Sequence, residues 1–414
     1  DEPDLTKSAI DDWRDELRHE MTEAVRLRLR SDVPLGAFLS GGIDSTIVTG
    51  LMQQQLDRPV QTFSIGFPVA AFDERAYARQ ASKMQGTDHH EAVVEPDAIS
   101  MLPKLIWHYD EPFSDSSAIP TMYLSQMTRE HVTVALTGDA GDELFCGYDR
   151  YRAVRIASMM DFVPRWSRRM AAAFATLIPG DPRQKSFRRR AKRLLETLGQ
   201  NSEERYLNWI SIFNRGPLRQ VTSDDLYAYS AEADPAAAIL DAYGMFPDRD
   251  FVTRTTAVDV ETYLPGDLLT KVDIASMHVG LECRSPMLDH KVVELAARMP
   301  IGVKQSLKQG KLVLTETFSD LIPPDIRTRK KMGFGVPIDH WFRNELKPLL
   351  HDVLLSSRCR DRGLLNAGAV QQLVDQHTSG QFDHAYRLWN LLCLELWQQM
   401  YLDNTPPIVA PSTI

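Results

Sequence analysis

Residues 36–46, Gly-Ala-Phe-Leu-Ser-Gly-Gly-Ile-Asp-Ser-Thr, constrain the fold of this chain more than any other stretch. There a short apolar run ends in a loop of small residues that opens directly into a helical pattern. A strand, a tight turn and a helix in immediate succession begin an α/β unit. Gly41 and Gly42 let backbone come close to a ligand, Ser40, Ser45 and Thr46 offer hydroxyls, and the helix start adds unpaired N–H groups. The loop therefore has the composition of a phosphate cradle, although an ordinary turn between strand and helix uses the same residue types. Asp44 is out of place among phosphates unless a divalent cation lies between carboxylate and phosphate oxygens, so the pattern points to a magnesium nucleotide. A Walker loop is excluded: in Gln309-Gly310-Lys311-Leu312 the lysine is not followed by Ser or Thr.

The surrounding pattern extends the α/β reading. Apolar residues Trp13, Leu17, Met21, Ala24 and Val25 recur at spacings of three and four, which predicts a helix over about 11–28. A strand is expected at 36–39, a helix at 46–55, a strand at 60–67, a helix at 74–84 and a strand at 91–94. Alternation of this kind means a parallel sheet flanked by helices. Residues 132–136, Val-Thr-Val-Ala-Leu, read as a further buried strand that delivers Thr137, Gly138 and Asp139 to the sheet's carboxyl edge, where open α/β sheets bind ligands. Asp142 lies in this second loop and is a candidate to join Asp44 around magnesium; capping of a helix start would use the same acidic residues.

After Tyr151 the pattern becomes largely helical. We expect an ATP-binding α/β core at 1–150, a mainly helical part at 151–400 that completes the site, and a frayed tail at 401–414. The basic run Lys185, Arg188, Arg189, Arg190, Lys192 and Arg193 is read as a solvated helix face rather than an RNA contact, since it lacks interleaved aromatics and the chain carries a formal charge of −9. No apolar run approaches the roughly 18 residues needed to span a bilayer. Neither a membrane nor a nucleic acid is expected as a partner, a homodimer is compatible with the sequence, and the cytoplasm is the expected location. The four cysteines have neither metal-ligand spacing nor disulfide-scaffold density and read as reduced thiols. The start, Asp1-Glu2-Pro3-Asp4, has no initiator Met and no leader pattern, so a cut from a longer protein is expected.

Residues 40–45 resemble the Ser-Gly-Gly-x-Asp-Ser motif of the PP-loop ATP pyrophosphatases, which implies an adenine nucleotide hydrolase-like fold and cleavage of ATP between its α and β phosphates. Together with Thr137-Gly138-Asp139-Ala140-Gly141-Asp142-Glu143, they resemble the synthetase domain of glutamine-dependent asparagine synthetases. Asp110-Glu111-Pro112-Phe113 with the following 116–120 stretch, residues 281–289 (Leu-Glu-Cys-Arg-Ser-Pro-Met-Leu-Asp) and residues 330–337 (Lys-Lys-Met-Gly-Phe-Gly-Val-Pro) continue the resemblance, which covers about 10–400.

The resemblance implies a ligase that converts aspartate, ammonia and ATP to asparagine, AMP and pyrophosphate through an acyl-adenylate. It implies that Leu39, Ser40, Gly41, Gly42, Asp44 and Ser45 hold the nucleotide phosphates, with Ile65, Thr137 and Gly138 beside the nucleotide and Asp44 and Asp142 at Mg2+. Asp139 and Lys331 are the implied catalytic residues, the first taking a proton as ammonia adds and the second meeting charge on the phosphate oxygens. Lys271 is an implied substrate-carboxylate site. Asp139 departs from the family's commoner Glu, and Cys146 and Cys283 replace Gly and Ala; both thiols read as packed rather than nucleophilic. The glutaminase domain that releases ammonia in complete family members is not in this chain, so ammonia is expected from such a domain or from a subunit. The same adenylation chemistry on another carboxylate (a β-lactam, lasso-peptide or sugar-acid substrate) and a nucleotide-binding module without turnover are the alternatives.

Overall fold

The computed structural model describes residues 6–69, 73–94, 98–177, 187–329 and 335–403. Two compact units interleave along the chain: residues 1–95, 120–156 and 246–335 form one, and residues 96–119, 157–245 and 336–414 the other.

The first unit is built on a five-stranded parallel sheet of order β3-β2-β1-β4-β5, formed by Leu35–Phe38 (β1), Gln61–Gly66 (β2), Asp88–Val93 (β3), Val134–Leu136 (β4) and Glu282–Arg284 (β5). The helices Lys7–Arg28 (α1), Ile43–Gln53 (α2) and Arg75–Gln85 (α3) belong to it. The parallel sheet flanked by helices that the residue pattern predicts is the fold observed. In α1, Leu17, Met21, Ala24 and Val25 all lie on one buried face, and Thr6 caps the start by accepting from the Ala9 N–H at 3.4 Å. Their cluster extends through Ile47, Val48 and Leu51 of α2 to Val134 and Leu136 of β4, giving one continuous core.

Two strands differ most from expectation, and both lie at sheet edges. β3 begins at Asp88 rather than 91, because its early residues pair through polar groups: His89 meets the Thr62 hydroxyl at 2.9 Å and the Ser64 hydroxyl at 3.1 Å. β5, with the sequence Glu-Cys-Arg, was not foreseen; three residues without apolar alternation carry no strand signal. It pairs with β4 in the register Val134↔Glu282, Ala135↔Cys283 and Leu136↔Arg284.

Chain order explains where a ligand site falls. From β1 the chain moves outward to β2 and β3, then returns to β4 and β5 on the other side of β1, so the direction of winding reverses between β1 and β4. Such a switch point opens a crevice at the carboxyl ends of the two central strands. The loops at 39–42 and 137–140 leave those two ends.

In the second unit, the helix Ala385–Trp397 buries Leu388, Trp389, Leu392 and Cys393. Arg205, 1% exposed, donates to both oxygens of Asp161 at 3.1 and 2.7 Å. Burial opposes ionisation of Asp161, but the hydrogen bonds from Arg205 and Ser202 outweigh it and hold the carboxyl below the ordinary aspartate value. Among the described residues, no helix is long and apolar enough to cross a membrane.

Candidate active site

The loop after β1 is held by its own hydrogen bonds. Leu39, fully buried, continues the sheet by donating its N–H to Phe63 O at 2.9 Å. Beyond it, the Ser40 and Ser45 hydroxyls meet at 3.1 Å, and the Gly42 N–H donates to the Ser40 hydroxyl at 3.3 Å. Gly41 has φ +70°, and a methyl group there would come within 2.6 Å of Tyr77 and Ala78 backbone, so this position tolerates only glycine. Gly42 is the N-cap of α2 and offers no side-chain acceptor, which leaves the first-turn N–H groups of an eleven-residue helix facing the loop.

The second loop is pressed against the first. A methyl group on Gly138 would lie 2.7 Å from Ser45 N and 2.9 Å from the Asp44 carbonyl carbon. β5 braces the loop from the other side, since Thr137 N–H donates to Arg284 O at 2.8 Å and the Ser285 hydroxyl donates to Asp139 O at 2.8 Å. Ile65, 5% exposed, lies in β2 beside β1. Of the expected ATP-contacting residues, Leu39, Ser40, Gly41, Gly42, Thr137 and Gly138 thus sit on the loops leaving two adjacent strands, and Asp44 and Ser45 in the first turn of α2.

Asp44 and Asp142 converge on a single positive charge that the residue pattern did not point to. The Lys311 ammonium pairs with Asp44 and lies 2.7 Å from Asp142 Oδ1, with the lysine side chain 7% exposed. Lys311 adopts φ +54° ahead of the helix Leu312–Thr317, and its N–H donates to Phe145 O at 2.9 Å. Burial disfavours its charge, but the two carboxylates outweigh that and hold it well above the ordinary lysine value. Gly141 and Gly147 leave room for the pair: a methyl on either would overlap the Asp44 or the Asp142 carboxylate. The cation between the carboxylates here is the Lys311 ammonium; two hard carboxylate donors this close would also suit Mg2+, which takes one or two carboxylates and completes its shell with phosphate oxygens and water. Among the described residues, no three His, Cys, Asp or Glu side chains form a group that could hold a metal ion.

Asp139 lies beside this group. Loss of hydration raises its pKa; the Thr137 hydrogen bond and the Lys271 charge lower it, and the nearby Asp142 raises it again. The net shift is upward, which suits a carboxylate that must accept a proton. Lys271, 9% exposed, is carried by the helix Thr270–Met277, immediately after a π-helical turn at Leu264–Leu269. Lys331 lies outside the described residues. Arg329, the last described residue before it, pairs with Glu74, stacks 4.1 Å from the Tyr77 ring and donates to Gly41 O at 3.2 Å.

A buried polar network follows the second loop. Tyr148 donates to Glu143 at 2.5 Å, Arg150 lies 4.0 Å over the Tyr148 ring and 4.5 Å over Tyr263, and both Arg150 and Tyr151 donate to fully buried Asp259 at 2.8 and 2.6 Å. It fixes the chain direction after Asp142. The stretches at 110–113 and 116–119 belong to the second unit, where Phe113 stacks on Tyr109 at 4.5 Å and the Ser117 hydroxyl donates to Asp115 at 2.7 Å. Burial raises the thiols of Cys146 to about 11 and of Cys283 to about 12, which suits packed, unreactive cysteines.

Residues 16–399 match the family model described as asparagine synthase. The chain is 29% identical over 390 residues to glutamine-hydrolyzing asparagine synthetase 1 of Bacillus subtilis (strain 168), covering 94% of this chain and 60% of that protein. It is 33% identical over 401 residues to a putative glutamine-hydrolyzing asparagine synthetase of Mycobacterium tuberculosis (strain CDC 1551 / Oshkosh), covering 96% and 59%. Amidase chyE of Penicillium rubens is 24% identical over 400 residues, covering 87% and 58%. The chain spans about three fifths of the length of these relatives. With a family model running through both the switch-point loops and the lysine between their carboxylates, this chain belongs to the asparagine synthase family.

Proposed function

We propose that this chain activates a carboxylate by adenylation and converts it to an amide, with aspartate as the acid and asparagine, AMP and pyrophosphate as products. The observation that carries the reading is the convergence of Asp44 and Asp142 on the Lys311 ammonium beside a Ser/Gly loop at a helix start. A free carboxylate does not react with ammonia at neutral pH, because its oxygen is a poor leaving group. When that oxygen attacks the α-phosphorus of ATP, pyrophosphate leaves; when ammonia attacks the acyl carbon, AMP leaves and the amide remains.

In this scheme Leu39, Ser40, Gly41, Gly42 and Ser45 bind the phosphates, and Ile65, Thr137 and Gly138 bind the nucleotide beside them. Mg2+, held by Asp44 and Asp142, would supply charge neutralisation at the leaving pyrophosphate. Lys331 and Lys311 offer compact ammonium groups to the phosphate oxygens. Asp139 receives the proton that ammonia sheds, and Lys271 orients a substrate carboxylate. The names of the longer relatives support glutamine as the ammonia source in a protein that also carries a glutaminase.

The similarity to an amidase favours a second reading, the same chemistry on another acid. Pyrophosphate release with magnesium ATP, measured across a panel of carboxylic acids with ammonia and glutamine supplied separately, tests both. Release with aspartate and ammonia, accompanied by AMP, is expected. An active acid other than aspartate moves the assignment to the second reading, and orthophosphate in place of pyrophosphate, or no release with any acid, overturns both.

A further inference from the structure

The peptide between Gly41 and Gly42 joins two glycines, so no Cβ on either side resists its rotation. The C=O and N–H of a trans peptide point in opposite directions. Here the Gly42 N–H turns into the loop, where it donates to the Ser40 hydroxyl at 3.3 Å, and that hydroxyl meets the Ser45 hydroxyl at 3.1 Å. The Gly41 carbonyl therefore turns out of the loop, and it accepts from Arg329 at 3.2 Å. A half-turn of this peptide would carry Gly42 from φ −83° to a positive φ, which glycine tolerates. It would also put a carbonyl oxygen where a donor now stands, and an anion is bound by N–H groups and repelled by carbonyls.

Arg329 is itself held for this bond. Its guanidinium pairs with Glu74 at the start of α3 and lies 4.1 Å from the centroid of the Tyr77 ring, one turn further along. The Arg329 and Glu74 side chains are 11 and 14% exposed. Tyr77 also walls Gly41, since a methyl group there would come within 2.6 Å of the Tyr77 Cβ. A planar guanidinium can pair with a carboxylate, stack by its face and still donate from another N–H, which an ammonium cannot. Among the described residues, Arg329 is the only donor to the Gly41 carbonyl.

We infer that Arg329 is a positioning residue for phosphate binding: it locks the Gly41–Gly42 peptide with its N–H toward the incoming phosphates, and acts through that peptide rather than by touching them. Without Arg329 the peptide samples both orientations, and the apparent affinity for phosphate falls by the fraction of loops left with the donor inward. The inference rests on the proposed function only in taking the loop as the phosphate site; it is indifferent to which acid is activated.

The test is calorimetric titration of the full chain with three separate probes: magnesium pyrophosphate, magnesium ATP and adenosine. In Arg329→Met, binding of pyrophosphate and ATP should weaken by at least about tenfold, while adenosine, which has no phosphate, changes by less than about twofold. Glu74→Met separates position from charge and stands by itself should Arg329→Met not fold. The Glu74 side chain makes no capping bond to α3, so its loss leaves the helix start intact. It frees Arg329 from its partner and removes a negative charge. A guanidinium acting on phosphate by charge would then bind pyrophosphate more tightly; one acting through Gly41 should bind it about threefold or more weakly. Tighter or unchanged pyrophosphate binding in Glu74→Met overturns the inference. So does unchanged pyrophosphate binding in Arg329→Met, or an equal loss for adenosine there, which means general disruption; either leaves the phosphate-loop reading standing. A wild-type chain that binds neither pyrophosphate nor ATP overturns that reading and the inference with it.

Discussion

Replacing Lys311 by Met would leave Asp44 and Asp142 facing each other across a buried gap with no cation between them. Removing one partner of a buried ion pair is far more damaging than replacing the whole pair, and we expect Lys311→Met to lose about 3 kcal/mol in urea denaturation without ligand. Asp139 behaves differently because its own shift is upward from the ordinary 3.8. Between 3.8 and the folded value, the folded chain holds a proton that the unfolded chain has released, so stability falls as pH rises through that window. Asp139→Asn should therefore be more stable than the wild type at neutral pH, with the advantage disappearing below pH 3.8, as thermal melts at several pH values would read. If Asp139 accepts the proton from ammonia, the same substitution should slow amide formation by about a hundredfold or more, and the acid limb of wild-type kcat/KM should lie above the range of an exposed aspartate. Asp44 and Asp142 were legible as candidates because each follows an apolar run and small residues. Lys311, 267 residues from Asp44, carries no such local mark, since only the folded chain gives it two carboxylates.

At the scale of elements, the site depends on how closely β4's loop can approach the start of α2. Gly138→Ala puts a methyl group against the backbone of Ser45 and Asp44, neither of which is the free end of a side chain. Overpacking of this kind costs about 1–3 kcal/mol, visible as a lower melting temperature, and it should reduce pyrophosphate release more than a surface Gly→Ala at Gly216, where nothing lies within 4 Å. Four of the five strands were readable from β-branched or apolar runs, with ends displaced by one to three residues. β3 started early because hydroxyl and imidazole groups, not apolar ones, form its first pairs, and β5 was missed because Glu282, Cys283 and Arg284 are held by β4 and by the Arg284 bonds to Arg28 O and Arg30 O at 2.8 Å, all distant in sequence. Hydrophobic period reports burial, and these two edges are stabilised by other means.

Across the whole molecule the four cysteines are free, with Cys146, Cys359 and Cys393 buried. Burial is the leading cause raising Cys146 and Cys359 to about 11, so native protein at pH 8 should resist a thiol reagent and react fully only when denaturant opens both units. Labelling rate against urea concentration, with mass spectrometry to assign each site, would measure that opening unit by unit; rapid modification of Cys146 in the native chain would contradict the packing around it. The interleaving of the units also has a bearing on synthesis. During synthesis β1 to β4 all emerge between residues 35 and 136, yet the strand that covers β4's outer side comes only at 282–284. Until then β4 presents bare N–H and C=O groups to any passing strand, which makes the stretch of translation between those two points the period when this nascent chain most needs a chaperone.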